Sequence, residues 1–367
     1  MLLTLVYRSM SKLTPRDRVI YALEHKEDKL DRIPIHDSPW GATVDRWRRE
    51  GLPPGVSPAD YFGYEIAVFG ADTSPQFPVE VLYEDSEYII ERTSFGGIRK
   101  NHRDYSTTPE IIDWPCKSRE DWEKIKIRLK PSERRVDWVT GLNRYHRERS
   151  RGRFIMYGAA VGFDKIQSYV KTDKLLVAIV KDPDWVIDMY WTDAKLVMGM
   201  CDIMIRGGFK FDGAFLYCDL GYKNGLFFSP KYFEEQLHPV FKELCRFFKS
   251  RGMYVFLHSC GRVKDLIPYF IEEGFDVLQP LEVKAGMDLV ELKEEYGDKI
   301  SFMGGIDVRL MALDDPRPIE EEIKRKITVA KEGGGYIYHS DHSVPKNVSF
   351  QNYKRVIELV LKYGRYD

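Results

Sequence analysis

Cysteine is scarce in this chain. There are five among 367 residues, at positions 116, 201, 218, 245 and 260. They are too few and too scattered for a disulfide scaffold, and the odd count leaves one unpaired within a single chain. A reducing, cytoplasmic compartment is the expectation. Net charge is nearly absent, with 56 Lys and Arg against 57 Asp and Glu. Nothing global therefore draws the chain to nucleic acid or to an anionic membrane surface. No apolar run approaches the ~18 residues of a membrane span. Internal repeats and low-complexity tracts are missing, and 31% charged residues with 28 Gly and 19 Pro exclude a disordered or fibrous chain. Residues 1–7, MLLTLVY, are apolar but have no basic leader and no small-residue cleavage site after them. Met10 begins MSKLTPRDRV, which reads as a natural start, so residues 1–15 read as a leader to the fold.

What is present is enough apolar material, 43% of residues, for one large barrel or two ordinary domains. Thr14-Pro15 followed by Asp17 predicts a helix start, running to about Lys26. Arg32–His36 reads as a short buried strand. Residues 81–105 hold β-rich runs, Tyr88-Ile89-Ile90 and Ile98-Arg99, around Gly96-Gly97, which predicts an inserted hairpin. Ser118 to Arg151 is charged and reads as surface helix. From Arg153 onward the pattern becomes regular. Strands are expected at Phe154–Tyr157, Gly213–Tyr217, Met253–Leu257, Asp276–Gln279, Ile300–Met303 and Tyr336–Tyr338, with helices between them. Val263, Leu266, Ile267, Phe270 and Ile271 share one helix face. This alternation implies parallel βαβ units, and six or more of them favour a closed (β/α)8 TIM barrel in the α/β class. The whole chain, 1–367, reads as a single barrel domain with an N-terminal helical extension and a β-hairpin insertion.

In such a barrel, functional residues sit where strands end. His258 and Cys260 follow the strand at 253–257 and, being two apart, point to one side of an extended chain. An imidazole and a thiolate on one face suit Zn²⁺. Glu282 follows the next strand, and Tyr338-His339-Ser340-Asp341-His342 follows the last. His258, Cys260, Glu282 and His342 are thus the candidate zinc ligands. A buried thiol and a hydrogen-bonded histidine are the bland alternative for His-x-Cys. Asp219 follows the strand at 213–217 and can act catalytically or orient a ligand, with an ion pair as the alternative. Asp341 can support a ligating histidine. His36, Asp37, Tyr157, Phe163, Tyr217, Gln279, Asp307 and His339 are candidates for the pocket lining.

The segments HSCGRVKDLIPYFIEEGFDVLQPLE and SFMGGID resemble the uroporphyrinogen decarboxylase superfamily. So do YIYHSDHSVPKNVSFQNY, RDRVIYALEHKEDKLDRIPI and YCDLGYKNGLFFSPKYF, and the likeness covers nearly the whole chain from Arg16. It implies a (β/α)8 barrel that often pairs as a homodimer. The superfamily has two branches. True decarboxylases remove acetate carboxyls from a porphyrinogen without a metal and carry an arginine-rich N-terminal signature. Here that region reads IHDSPWGATVDRWRREG, and the signature is missing. Corrinoid-linked methyltransferases hold zinc through His-x-Cys and a later Cys. This chain has His258 and Cys260, but His342 stands where that branch has its Cys. Cobalamin-independent methionine synthases, more distant, have a Glu ligand at the place of Glu282.

The resemblance therefore implies a zinc-dependent methyltransferase working with a small-molecule substrate and a corrinoid (cobalamin) on a separate corrinoid protein. Zinc would bind a thiol as thiolate or polarise an ether oxygen. Replacing a thiolate by His342 makes the metal more electrophilic, which favours demethylation of a methylated, for example methoxylated, small molecule. Two other functions stand beside it: a metal-independent decarboxylase of a carboxylated tetrapyrrole, and a non-catalytic binding protein on a retained barrel.

Overall fold

The structure is a computed structural model that describes residues 13–103 and 108–366. The leader expected at 1–15 falls outside these residues up to position 12. Thr14 and Pro15 belong to the first helix, α1 (Pro15–Leu23). Thr14 accepts from the Asp17 N–H while Asp17 reaches back to Thr14, a reciprocal cap that fixes the helix start. The helix ends three residues earlier than its pattern predicts, because His25 turns to φ 55° and leads the chain away.

The elements that frame the site follow in order. They are α2 (Gly41–Arg49), α3 (Pro58–Phe62), β1 (Ile66–Phe69), β2 (Glu80–Glu84), β3 (Tyr88–Arg92), β4 (Ile98–His102), β5 (Glu110–Asp113), α4 (Arg119–Lys126) and α5 (Thr140–Ser150). Next come β6 (Phe154–Ala160), α6 (Gly162–Gln167), α7 (Thr172–Lys181), α8 (Pro183–Arg206), β7 (Gly213–Tyr217) and a small hairpin of β8 (Gly221–Tyr222) and β9 (Gly225–Leu226). The last are α9 (His238–Lys249), β10 (Tyr254–His258), α10 (Ile267–Glu273), β11 (Val277–Gln279), α11 (Leu289–Tyr296), β12 (Ser301–Met303), α12 (Arg317–Ala330), β13 (Tyr336–Ile337) and α13 (Phe350–Tyr363).

Seven strands form one parallel, curled sheet in the order β1-β6-β7-β10-β11-β12-β13. Each successive pair is joined through helix, as βαβ chemistry requires. Residues 34–36 lie between the sheet's two edges. On one side Tyr338 N–H donates to Pro34 O (2.9 Å) and His36 N–H to Tyr338 O (3.0 Å). On the other, Glu65 N–H donates to Ile35 O (2.9 Å), and the Glu65 carboxylate accepts the Ile35 N–H (2.8 Å). Glu65 is buried and also takes Arg18 and Arg32. Where a (β/α)8 reading implies eight strands, the described residues thus hold seven and this strip.

The predicted hairpin is larger than the sequence suggests. β2 to β5 make a four-stranded antiparallel sheet, spanning 80–113 rather than 81–105. Its flanking strands were missed because EVLYE and EIID are short and largely exposed, without a buried alternation to betray them.

Side-chain parity sorts the strands. Ile66, Phe154, Met156, Phe215, Phe256, Val277, Met303 and Ile337 point into the barrel and pack with Val19 and Leu23 of α1, which closes its N-terminal end. The alternate residues, including Ala67, Ile155, Tyr157, Leu216 and Leu257, pack outward among the helices. Below the strand ends the interior is therefore filled with apolar side chains, so the open space lies at the C-terminal end.

Candidate metal centre

Inward parity continues past these apolar layers. Tyr217, His258, Gln279 and His339 occupy the next inward positions of β7, β10, β11 and the end of β13. β10 and β7 are in register at His258 opposite Tyr217, and β11 places Gln279 beside His258. A cavity of about 690 Å³ lies there, lined among others by His36, Tyr64, Tyr217, His258, Gln279 and His342.

Asp219, His258 and Cys260 each bring one ligand atom within 4.8 Å of the other two. His258 Nε2 is 3.5 Å from Cys260 Sγ and 3.4 Å from Asp219 Oδ1. A tetrahedral Zn²⁺ with ordinary bond lengths separates its N and S donors by about 3.6 Å and its N and O donors by about 3.4 Å. The two distances from His258 Nε2 thus match zinc spacing. The tautomer agrees. His258 Nδ1 bonds Gln279 Oε1, an acceptor, so Nδ1 carries the proton and the Nε2 lone pair faces the sulfur and the carboxylate. A lone pair aimed at a carboxylate oxygen and a sulfur is a place for a cation. Burial, the largest influence, holds the His258 imidazole below its usual range and so in the neutral, ligating form, with His339 and His342 acting in the same direction. Burial also pushes the Cys260 thiol up, reinforced by Asp219 and Glu282. The thiol is therefore protonated without a metal, and binding releases that proton.

The turn that carries Cys260 is clamped twice. Asp219 Oδ1 accepts the Cys260 N–H (2.9 Å), and Glu282 Oε2 accepts the Gly261 N–H (2.8 Å). Gly261 has φ +79°, and a Cβ there would lie 2.2 Å from the Gly221 carbonyl carbon. Only glycine fits this close approach of two loops.

The expected zinc set is therefore gathered in part. His258 and Cys260 meet, and Asp219, expected as a catalytic group, joins them. Glu282 does not: one carboxylate oxygen is taken by Gly261 and the other by Lys284 (2.7 Å), so it holds the turn. His342 lines the same cavity beside Trp40, outside the close group. Asp341 is buried, and its two oxygens accept the Val283 and Val308 N–H groups, tying the loops after β11 and β12 together. Burial raises its carboxyl to about 6.

Among the pocket candidates, His36, Tyr217, Gln279 and His339 line the cavity. Asp37 lines it too, and accepts from the hydroxyls of Ser340, Tyr338 and Tyr353. Three candidates lie elsewhere. Tyr157 is on the outward parity of β6 and donates to Val197 O of α8 (3.0 Å). Phe163 is fully buried against Phe227 and Phe228. Asp307 caps the turn after β12 and pairs with Arg309 (2.6 Å). Tyr64, Val68, Phe215, Arg144 and Arg147 line the cavity without having been expected there. Counting parity back from His258 through β7 would have found Phe215, and along β1 from Ile66 would have found Val68.

The family model for uroporphyrinogen decarboxylase (URO-D) matches residues 100–363. A uroporphyrinogen decarboxylase of Vesicomyosocius okutanii is 25% identical over 79 residues, which is 22% of this chain and 23% of that relative's length. Among solved structures, a methyltransferase from Methanosarcina mazei superposes with a TM-score of 0.63 at 16% identity, covering 96% of this chain and 99% of that one. A B12-independent methionine synthase from Shewanella sp. W3-18-1 gives a TM-score of 0.39 at 11% identity, covering 91% and 92%. The match to the family model over most of its length shows that the chain belongs to the uroporphyrinogen decarboxylase (URO-D) family.

Proposed function

We propose that this chain is a zinc-dependent methyltransferase that moves a methyl group between a small methylated molecule, or a thiol, and a corrinoid on a partner protein. The observation that carries the reading is the Asp219–His258–Cys260 group, with His258 at zinc spacing from the other two, open to a cavity of substrate size. Zinc held there would act as a Lewis acid on an ether oxygen or a thiol. Asp219, His258 and Cys260 would be its ligands, and His342 has access to the same space. The chain's own groups prepare this site. Gln279 fixes the His258 tautomer, and Glu282 and Asp219 hold the turn that presents Cys260. Tyr64, Val68, Phe215 and Tyr217 line the cavity with apolar surface that excludes water from a bound substrate. A donor set with one sulfur beside nitrogen and oxygen leaves the metal more electrophilic than a two-thiolate set, which supports demethylation of an ether over activation of a thiol. In this reading the chain is one barrel from end to end, closed by the 34–36 strip as its eighth strand, and works in the cytoplasm. Among the described residues no helix is long and apolar enough to cross a membrane.

The test is methyl transfer from methoxylated small molecules to a reduced corrinoid, followed by its spectral change. Activity in the zinc-loaded chain and its loss in C260S supports the reading. Full activity in a metal-free preparation removes it.

One observation favours a second reading. Arg144, Arg147 and Arg153 line the cavity, and a decarboxylase of a carboxylated tetrapyrrole needs cationic groups there. Turnover of uroporphyrinogen, read by fluorescence after oxidation, would establish it.

A further inference from the structure

One short motif has no part in the metal centre: Lys223-Asn224-Gly225, in the hairpin beyond β7. β8 and β9 pair Gly221 with Leu226 and Tyr222 with Gly225, so Lys223 and Asn224 are the two residues of the turn. Asn224 is exposed, and a Cβ placed on Gly225 would meet nothing within 4 Å. The chain's other asparagines, Asn101, Asn143, Asn347 and Asn352, precede His, Arg, Val and Tyr, and Asn224 alone precedes a glycine. The difference is chemical. The amide nitrogen after an asparagine can reach that residue's side-chain carbonyl, and a following residue without a Cβ leaves the approach open. The ladder is two pairs long, too short to keep the Gly225 amide closed by itself.

The same hairpin is keyed to the turn that carries Cys260. Leu220 N–H donates to Ser259 Oγ (3.1 Å), and Arg262 N–H donates to Tyr222 O (3.0 Å). Between these bonds the two loops touch through glycine: a Cβ on Gly261 would lie 2.5 Å from the Tyr222 nitrogen. A change in the path of the chain at 222–225 therefore passes to Cys260 through backbone contacts without slack.

We infer that Asn224 is a site of spontaneous deamidation, and that its conversion loosens the turn presenting Cys260. In the first step the Gly225 amide nitrogen bonds to the Asn224 side-chain carbonyl carbon. The bond from that carbon to the side-chain nitrogen breaks, and ammonia leaves with the Gly225 proton. Water then opens the five-membered imide at one of its two carbonyls, giving aspartate or isoaspartate. In isoaspartate the backbone runs through the side chain and is one carbon longer, which a two-residue turn cannot absorb without shifting its strands. The modification needs no metal. Its effect on zinc rests on the metal site of the methyltransferase reading.

The experiment holds the full chain for several days in warm, mildly alkaline buffer. Peptide mapping follows each asparagine by its gain of one mass unit, and an isoaspartate methyltransferase labels the longer product. Asn224 is expected to convert faster than the other four. Alkylation of Cys260 in the metal-free chain should then quicken, with the four buried cysteines as internal references. Zinc affinity, measured by competition with a chelator, should fall by about 10-fold or more, the scale of losing a group that orients a ligand. G225A fits the open space at a φ outside the left-handed region, and should show none of these changes after the same treatment. N224D carries the charge without the longer backbone and should match the fresh native chain. Conversion of Asn224 no faster than the others overturns the inference. So does conversion that leaves Cys260 alkylation unchanged, or the same changes in aged G225A or fresh N224D. A chain that never binds zinc, yet shows the conversion and the faster alkylation, removes the metal reading and leaves the inference standing.

Discussion

Asp193 of α8 is fully buried, and neither of its carboxylate oxygens has a hydrogen-bond partner among the described residues. The nearby Lys165 is also buried, but its Nζ is spent on the carbonyl and hydroxyl of Thr73. Burial raises the Asp193 carboxyl from 3.8 to about 7, opposed only by Lys165. The consequence for stability has a definite sign. Above pH ~4 the unfolded chain ionises this group while the folded chain keeps it protonated, so folding loses stability as pH rises, until the folded group ionises near 7. A shift of about three units corresponds to roughly 4 kcal/mol between the two ends of that window. Asp193→Asn removes the linkage and keeps the shape. Its unpartnered amide adds a cost of about 1–3 kcal/mol that does not vary with pH. Chemical denaturation of both proteins from pH 4 to 8 measures the difference. The Asn variant is expected to gain on the wild type by roughly 4 kcal/mol across that range. A flat difference, or one that moves the other way, would show Asp193 ionised and paired with Lys165, and would refute the reasoning.

Two further outcomes follow from the packing. Gly261→Ala forces a Cβ against the Gly221 backbone at a positive φ. The expected cost is about 2–5 kcal/mol, combining left-handed strain with overpacking. Competition with a chelator should show zinc affinity lowered as the turn shifts, and unchanged affinity would mean the turn does not position Cys260. Tyr157→Phe should cost about 1 kcal/mol for its bond to Val197 O, with substrate kinetics unchanged because the ring faces the helices. A change in KM would put Tyr157 in the pocket.

The barrel strands were legible because buried parallel strands between amphipathic helices leave a strong signal, and their starts and ends follow from Gly213, Gly252 and the runs between them. The strand-end rule found His258 and Cys260, since that rule depends only on where β10 stops. It failed where parity was not counted. Tyr157 closes the strand expected at 154–157, but β6 runs on to Ala160; Tyr157 is one position out of phase with Met156, and the outward face of the curled sheet is core rather than pocket. Glu282 has the right place in the chain, yet its two oxygens are consumed by Gly261 and Lys284, contacts that no spacing rule encodes. Asp219, rather than Glu282, stands beside His258 and Cys260 because the chain beyond β7 returns over Cys260, which only the folded loops reveal. Arg144 and Arg147 lay in a stretch whose charge reads as solvent-facing helix. Their approach to the cavity depends on α5 lying against β1, a tertiary fact.

X-ray absorption of the zinc-loaded full chain tests the metal centre most directly. The expected spectrum is that of one zinc per chain with a single sulfur at about 2.3 Å and nitrogen or oxygen donors at about 2.0–2.2 Å. The sulfur shell should be lost in C260S and one oxygen donor in D219A. A zinc shell with no sulfur, or one unchanged in both variants, would contradict it.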